Sequence, residues 1–369
     1  ITNLKHNLTR LNVPLFVYYD TTDQAISKLN SQFQFDAIYF QKEWTQEEIT
    51  IQNNVLNTLS KNITVHQTYN QFLYHPETLN FKIPQLPRVF TAFRKKVERY
   101  STIYQEIETP IAQTAKNIEN LTKIPTLATL DLEEFTTHPN SAFPLKGGET
   151  EALNRINDYF FKTKKLGVYK KTRNGLIGVD FSSKFSPWLA NGSVSHKTIY
   201  WKVQEFEAKH FKNDSTYWLI FELIWRDYFK YVSKKHGTKL FKIGGILDKD
   251  YNWNTDKTLV KQWINGKTQE PFVNANMIEL QKTGWMSNRG RQNVASYFAK
   301  NLKLDWRIGA AYFESQLIDY DVHSNYGNWL YVSGVGNDPR DRVFNVKGQA
   351  ERYDTAGKYR RLWLQDTLF

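Results

Sequence analysis

The apolar pattern of this chain changes period partway along, and that change limits what the chain can fold into. In the opening part, short β-branched and aromatic runs over residues 13–19, 37–40 and 63–66 alternate with helical patterns over 22–33 and 45–60. Strand and helix at this spacing predict a parallel sheet joined by crossover helices. The chain opens inside a further helical pattern, with Leu4, Leu8 and Leu11 on one face, and no strand and crossover precede it. The sheet is therefore expected to be incomplete, with edges prone to association. Pro110, Pro125, Pro139 and Pro144 then punctuate a long connection that ends at Gly147-Gly148. Beyond it, residues 149–164, 215–235, 274–282, 291–300 and 306–317 carry helical spacing with little alternation. The predicted architecture is α/β plus all-α: an incomplete parallel, Rossmann-like α/β domain over 1–122, a linker over 123–148 and a helical domain over 149–369.

Composition narrows the partners. A formal net charge of +12 favours phosphate backbones or other anionic surfaces, and nucleic acid is the simplest such partner. Aromatic residues make up 15% of the chain, more than self-packing calls for, so some rings are expected to have another task. With no cysteine, a disulfide framework, a thiolate nucleophile and a Cys-ligated metal are excluded. The eight histidines lack the close pairing of a zinc site, and no metal is expected. No apolar run approaches the ~20 residues needed to cross a bilayer. A soluble protein is expected, in a compartment (cytoplasm, organelle or nucleus) that composition does not specify.

Two neighbouring segments, Trp285-Met286-Ser287-Asn288-Arg289-Gly290-Arg291-Gln292 and Asp319-Tyr320-Asp321-Val322-His323-Ser324-Asn325, concentrate arginines, acids and amides. Such a set suits a redox cofactor, whose electronics a protein tunes with nearby charge and hydrogen bonds to ring nitrogens. Arg291 and Asp319 can supply an ion pair, and Asn325 an amide that donates and accepts without titrating. Taken singly, Arg291 and Asp319 read equally well as an ordinary buried pair. Earlier, Tyr169 to Gly175 and then Ser182-Ser183-Lys184-Phe185-Ser186-Pro187 offer hydroxyls, a lysine and a Pro-fixed helix start, which is what a pyrophosphate needs. A Ser-rich turn before Pro is also a routine helix cap. The Gly-rich fingerprint of a nicotinamide site is absent.

Together these segments resemble the flavin pocket of the photolyase and cryptochrome family, with wording similar to its DASH branch. Arg342-Val343-Phe344-Asn345, Gln349, Tyr353-Asp354 and Trp363-Leu364-Gln365 continue the resemblance, which is more specific in the second part than in the first. It implies FAD held by Tyr169, Ser182, Ser183, Lys184, Phe185, Ser186, Glu222, Arg226, Asn288, Arg291, Asp319, Asp321 and Asn325, with Asn325 facing the flavin N5. It places Glu222 and Trp225, one turn apart on one helix face, at the cavity mouth. Trp225 and Tyr331 would sandwich a flipped dipyrimidine, at ~1–3 kcal/mol per stacked base. Glu222, Asn288 and Gln292 would hydrogen-bond its edges, while Arg173 and Arg289 contact the DNA backbone. Gln292 and Tyr331 carry the DASH likeness, since relatives active on duplex DNA tend to have Met and Trp there. Trp329, Trp306 and Trp253 match the family's electron relay and, with Glu222, form the implied catalytic set. Without their neighbours, Trp225 and each relay tryptophan read as core aromatics.

In the first part, Gln41-Lys42-Glu43 resembles the loop whose glutamate holds a folate antenna (methenyltetrahydrofolate), although a lone Glu43 reads as a solvated charge at a strand end. The chain departs from the family pattern at Gln269-Glu270-Pro271, Asn274 and Ile278, which touches local helix packing more than flavin binding. The implied protein is a monomeric, blue-light-dependent FAD flavoprotein that repairs cyclobutane pyrimidine dimers, preferably in single-stranded DNA, as a deoxyribodipyrimidine photolyase-type lyase. The alternatives are a photoreceptor that signals through flavin redox state without repair, or an inactive truncated homologue.

Overall fold

The computed structural model describes residues 1–365, so the last four residues of the domain expected to reach 369 lie outside the described range. In the first part, α1 (Thr2–Arg10), α2 (Thr22–Phe33) and α3 (Gln46–Thr58) accompany two short strands, β1 (Ala37–Gln41) and β2 (Thr64–Thr68). The strands pair in parallel with Ala37 opposite Thr64 and form a two-stranded sheet. Exposed Tyr39 stacks on His66 across the pair, ring centroids 4.4 Å apart.

The strand expected over 13–19 does not form. The Val17 N–H donates to Thr122 Oγ1 at 3.0 Å and the Leu15 carbonyl accepts from Asn120 Nδ2 at 2.7 Å. These backbone groups are satisfied by side chains of the long connection, so no ladder is needed to meet their hydrogen-bonding demand.

A two-stranded sheet is marginal alone, and buried contacts tie this part to the helices that follow. Asp227, fully sequestered, accepts from the N–H groups of Leu73 (2.9 Å) and Tyr74 (2.8 Å). The Trp44 indole donates to Ser233 Oγ at 3.0 Å. Next, α4 (Phe90–Tyr100) buries Phe90, Phe93 and Val97 against the same surface.

The second part is helical: α5 (Glu149–Ile156), α6 (Tyr169–Thr172), α7 (Ser186–Ala190), α8 (His196–Lys209), α9 (Asp214–His236), α10 (Lys257–Ile264) and α11 (Pro271–Thr283). They are followed by α12 (Asn288–Ser296), α13 (Trp306–Gln316), α14 (Val322–Ser333), α15 (Val346–Tyr353) and α16 (Lys358–Leu364). The axis of the arrangement is α9. Asn213 caps it by accepting from the N–H groups of Ser215 and Thr216, and Gly237 ends it at a φ of +54°. Its packing against α4, α6, α8 and α14 joins both parts to one apolar core.

The departures at 269–278 have a local rationale. Asn274 accepts from the Thr268 N–H (2.8 Å) and donates to the Thr268 carbonyl (2.9 Å), a two-way closure that an aspartate could not make. Ile278 is buried against Gly266, whose left-handed backbone leaves no room for a side chain.

Candidate functional site

Helical geometry on α9 creates one wall of a cavity. Glu222, Trp225, Arg226 and Phe229 recur at one-turn intervals, so their side chains emerge on one face. The opposite wall comes from the loop 181–186 and from the start of α12. Together they enclose about 690 Å³, within the range of small-molecule and cofactor pockets.

The loop is held from behind. Arg155, buried on α5, donates from Nε to the Ser183 carbonyl (3.2 Å) and from Nη2 to the Ser182 carbonyl (3.1 Å), and pairs with Asp180 at 2.9 Å. With those carbonyls committed, Ser182, Ser183 and Ser186 line the cavity. Lys184 takes a left-handed φ of +66° and sends its amine between the rings of Phe181 (3.5 Å) and Trp285 (4.6 Å). That amine is buried without a hydrogen-bond partner, and burial lowers its pKa to about 7.

At the other end, Ser287 caps α12 by accepting from the Gly290 N–H. Arg291 donates from Nε to the Met286 carbonyl at 2.9 Å and from Nη2 to both oxygens of Asp319, each at 2.9 Å. Asp321 caps α14 through the Ser324 N–H and pairs with Arg226 (3.4 Å) and Lys230 (3.5 Å). Burial opposes its ionisation, but the two cations outweigh it and hold the carboxyl well below the usual range.

Near the mouth, Glu222 is ion-paired with Arg173. Burial raises the Glu222 pKa and the guanidinium opposes the rise. Arg289 donates to Gln292 Oε1 and Asn174 Oδ1, both at 3.0 Å, and lies over the Tyr353 ring. The expected aromatic sandwich is not preformed. Trp225 lies flat on Phe90 at 3.7 Å, and Tyr331 meets it edge-on at 5.8 Å and 88°. Tyr331 is turned by Arg342, which donates to its hydroxyl at 3.2 Å and pairs with Asp338.

Thus Tyr169, Arg173, Ser182 to Ser186, Glu222, Trp225, Arg226, Asn288, Arg289, Arg291, Gln292, Asp319, Asp321 and Tyr331 line one cavity. Asn325 does not. It is buried, donates to the Ala310 carbonyl at 3.0 Å and stands behind Ser324 and Asn328, which do line it. Glu43 lies in a second cavity of about 820 Å³, 3.9 Å from His323, whose ring stacks on Trp44. Burial opposes ionisation of Glu43, and hydrogen bonds from His323 and Gln41 overcome it. Leu189, Ala190, Arg226 and Asp321 line both cavities, so the two share a wall.

The three relay tryptophans sit on adjoining segments outside the cavity lining. Trp329 is buried on α14 with its indole over Gly309 of α13, where a Cβ would collide with the ring. Trp306 opens α13 and donates to the Ile243 carbonyl at 2.9 Å. Asn254, next to Trp253, bonds to Lys303 just before α13. Sequence reasoning missed Arg155, Trp218 and Phe90, and also Trp263, which meets Trp329 edge to face at 6.3 Å. For Trp218 the signal was available, since it precedes Glu222 by one turn on α9. Among the described residues, no cluster could hold a metal ion and no helix is long and apolar enough to cross a membrane.

Comparison with known proteins shows which family the chain resembles. Residues 218–367 match the FAD binding domain of DNA photolyase, and residues 1–113 match the DNA photolyase family. The chain is 44% identical over 368 residues to a cryptochrome DASH of Gloeobacter violaceus, covering 99% of this chain and 74% of that protein. It is 46% identical over 352 residues to one of Danio rerio, covering 94% of this chain and 67% of that one. Among solved structures, the cryptochrome of Synechocystis sp. PCC6803 superposes with a TM-score of 0.94 at 44% identity, over 99% of this chain and 76% of that one. A bacterial class III photolyase from Agrobacterium tumefaciens gives 0.83 at 25% identity, over 99% and 76% of the two chains.

Proposed function

The chain belongs to the photolyase and cryptochrome family, among its cryptochrome DASH members, and from that premise we propose a blue-light-dependent FAD flavoprotein that splits cyclobutane pyrimidine dimers, preferably in single-stranded DNA. The observation that carries the proposal is one cavity lined both by the phosphate-type loop 182–186 with Arg291 and Asp319 and by the base-reading set Glu222, Trp225, Asn288, Gln292 and Tyr331.

The residues present fit FAD. A buried, unpartnered amine on a Ser-rich loop suits a diphosphate, and the Arg291–Asp319 pair, in which Nη2 donates to both carboxylate oxygens, suits the edge of a flavin ring. In this reading Lys184 with Ser182, Ser183 and Ser186 holds the diphosphate, Tyr169, Phe185, Arg226, Asn288 and Asp321 shape the cavity, and Asn325, whose amide is tied to the Ala310 carbonyl, backs the lining residues Ser324 and Asn328. Bound FAD supplies the light absorption and the electron given to the lesion. Glu222 orients the flipped dimer. Arg173, ion-paired with Glu222, holds that carboxyl at the cavity mouth, where it faces the base edge whose charge changes on electron transfer. The Trp225 face not covered by Phe90 receives a base, and Tyr331 turns to cover it. Base flipping is general among enzymes that act on bases, photolyases included. Arg289 and the net charge of +12 favour the DNA backbone.

Trp329, Trp306 and Trp253 are the proposed relay, and Glu43 the proposed folate contact in the second cavity. The division at 1–122, 123–148 and 149–369 belongs to the same proposal. The test is light-dependent repair of a thymine-dimer oligonucleotide by purified, FAD-loaded protein, as single strand and as duplex. Repair confined to the single strand supports the reading. Flavin binding with repair of neither substrate points instead to the photoreceptor.

A further inference from the structure

Beyond the relay, the ring of Tyr251 meets Trp253 edge to face at 5.4 Å and 76°. Its hydroxyl donates to Asp341 Oδ2 at 3.0 Å. The two neighbours differ in what they can do with a proton. The Trp253 indole N–H is buried with no hydrogen-bond partner, so an oxidised Trp253 has no base to receive its proton. Tyr251 has one in place. Lys249 donates to the same phenol oxygen at 3.1 Å, and Lys300 is ion-paired with Asp341. Both ammonium groups also lie over the Tyr251 ring, at 5.4 Å and 5.2 Å. A cationic tyrosine radical is therefore disfavoured there, and oxidation of the ring requires loss of its proton. Gly334, at a φ of +82°, keeps the space for this cluster, since a Cβ at that position would collide with Asp341 and Lys300. Burial pushes the Asp341 carboxyl up, but hydrogen bonds from Lys300 and Tyr251 and the charges of Lys300 and Lys249 hold it below its usual range, so the acceptor is ionised at neutral pH.

We propose that Tyr251 is the terminal electron donor of the aromatic path, giving an electron to oxidised Trp253 while its phenolic proton passes to Asp341. The step balances. A Trp253 radical cation, the Tyr251 phenol and the Asp341 carboxylate become neutral Trp253, a neutral tyrosyl radical and an Asp341 carboxylic acid. The inference rests on the relay reading above for the light-driven route, in which the oxidant is Trp253 after electron loss toward the excited flavin.

The experiment uses two oxidation routes and reads radicals by electron paramagnetic resonance and transient absorption. One is blue light on the FAD-loaded chain. The other is flash-quench oxidation of the FAD-free full chain by a ruthenium polypyridyl complex. Wild type should give a neutral tyrosyl radical by both routes. Tyr251→Phe, which keeps the ring and the fold, should lose that signal and leave a long-lived tryptophanyl radical. Asp341→Asn should slow radical formation at least tenfold, and in wild type the rate should fall as pH drops through the Asp341 titration. A tyrosyl signal that survives Tyr251→Phe, or an absent one in ruthenium-oxidised wild type, overturns the proposal. A signal by the ruthenium route alone, lost in Tyr251→Phe, keeps Tyr251 as donor and refutes the flavin-to-Trp253 relay instead.

Discussion

Replacing Lys184 by Met should move two properties in opposite directions. The amine lies between two aromatic rings without a hydrogen-bond partner, and burial takes its pKa from 10.5 to about 7. Each pKa unit corresponds to about 1.4 kcal/mol. Keeping the ammonium charged in the FAD-free fold therefore costs about 5 kcal/mol at most, and water entering the open cavity reduces this to about 2–3 kcal/mol. Because the folded-state pKa is the lower one, the unfolded chain holds the extra proton between about pH 7 and 10.5. Stability of the FAD-free protein thus rises with pH across that window and is lowest below it. Methionine has similar reach, tolerates aromatic neighbours and carries no proton. Lys184→Met should stabilise the FAD-free protein by about 2–3 kcal/mol near pH 6, with the gain vanishing above about pH 10. FAD affinity should move the other way. Loss of one charge-assisted hydrogen bond costs ~1.5–3 kcal/mol, or roughly 10- to 100-fold in Kd. Urea denaturation of FAD-stripped protein across pH reads the first effect, and fluorescence titration with FAD reads the second. A variant less stable than wild type near pH 6, or one that binds FAD equally well, would refute the assignment of Lys184 to the diphosphate.

Trp329→Phe should abolish photoreduction of the oxidised flavin, followed by absorbance, while repair by chemically pre-reduced protein stays close to wild type; equal loss in both assays would mean that Trp329 acts by packing. Asp321→Asn leaves Arg226 and Lys230 without their shared buried counter-charge and should cost ~3–5 kcal/mol in chemical denaturation; a loss under about 1 kcal/mol would mean that water already screens the cluster. Extruding a lesion from duplex costs a few kcal/mol, so dimer-containing single strands should bind roughly 100-fold more tightly than the matched duplex at one salt concentration. Both affinities should weaken with added salt, and equal affinities would reject the single-strand preference.

Much of this arrangement is legible in the sequence where local pattern decides it. The boundaries of α2 coincide with the expected 22–33, and β1 and β2 lie within a residue or two of the expected runs. Residues 13–19 read as a strand because their apolar content is strand-like, but a strand needs a neighbouring backbone, and theirs bonds with Asn120 and Thr122 instead. The cavity face of α9 was readable because a helix puts residues one turn apart side by side. Orientation was not. Nothing in the spacing of Asn325 says that its amide is drawn to Ala310, nor in Tyr331 that Arg342 turns it edge-on to Trp225. Arg155 and Phe90 escaped notice because each acts on a segment far away in the chain, and only tertiary closeness gives them a role.

The wall shared by the two cavities constrains how this molecule can diverge. Arg226 and Asp321 face both spaces and hold each other's charge, so a substitution tried for the sake of one ligand is judged at the same moment by the other. Descendants that abandon whatever fills the space beside Glu43 would still be expected to keep both residues. Variation tied to one ligand alone should collect instead at residues that line a single cavity, such as Glu47 and Glu48 in the second.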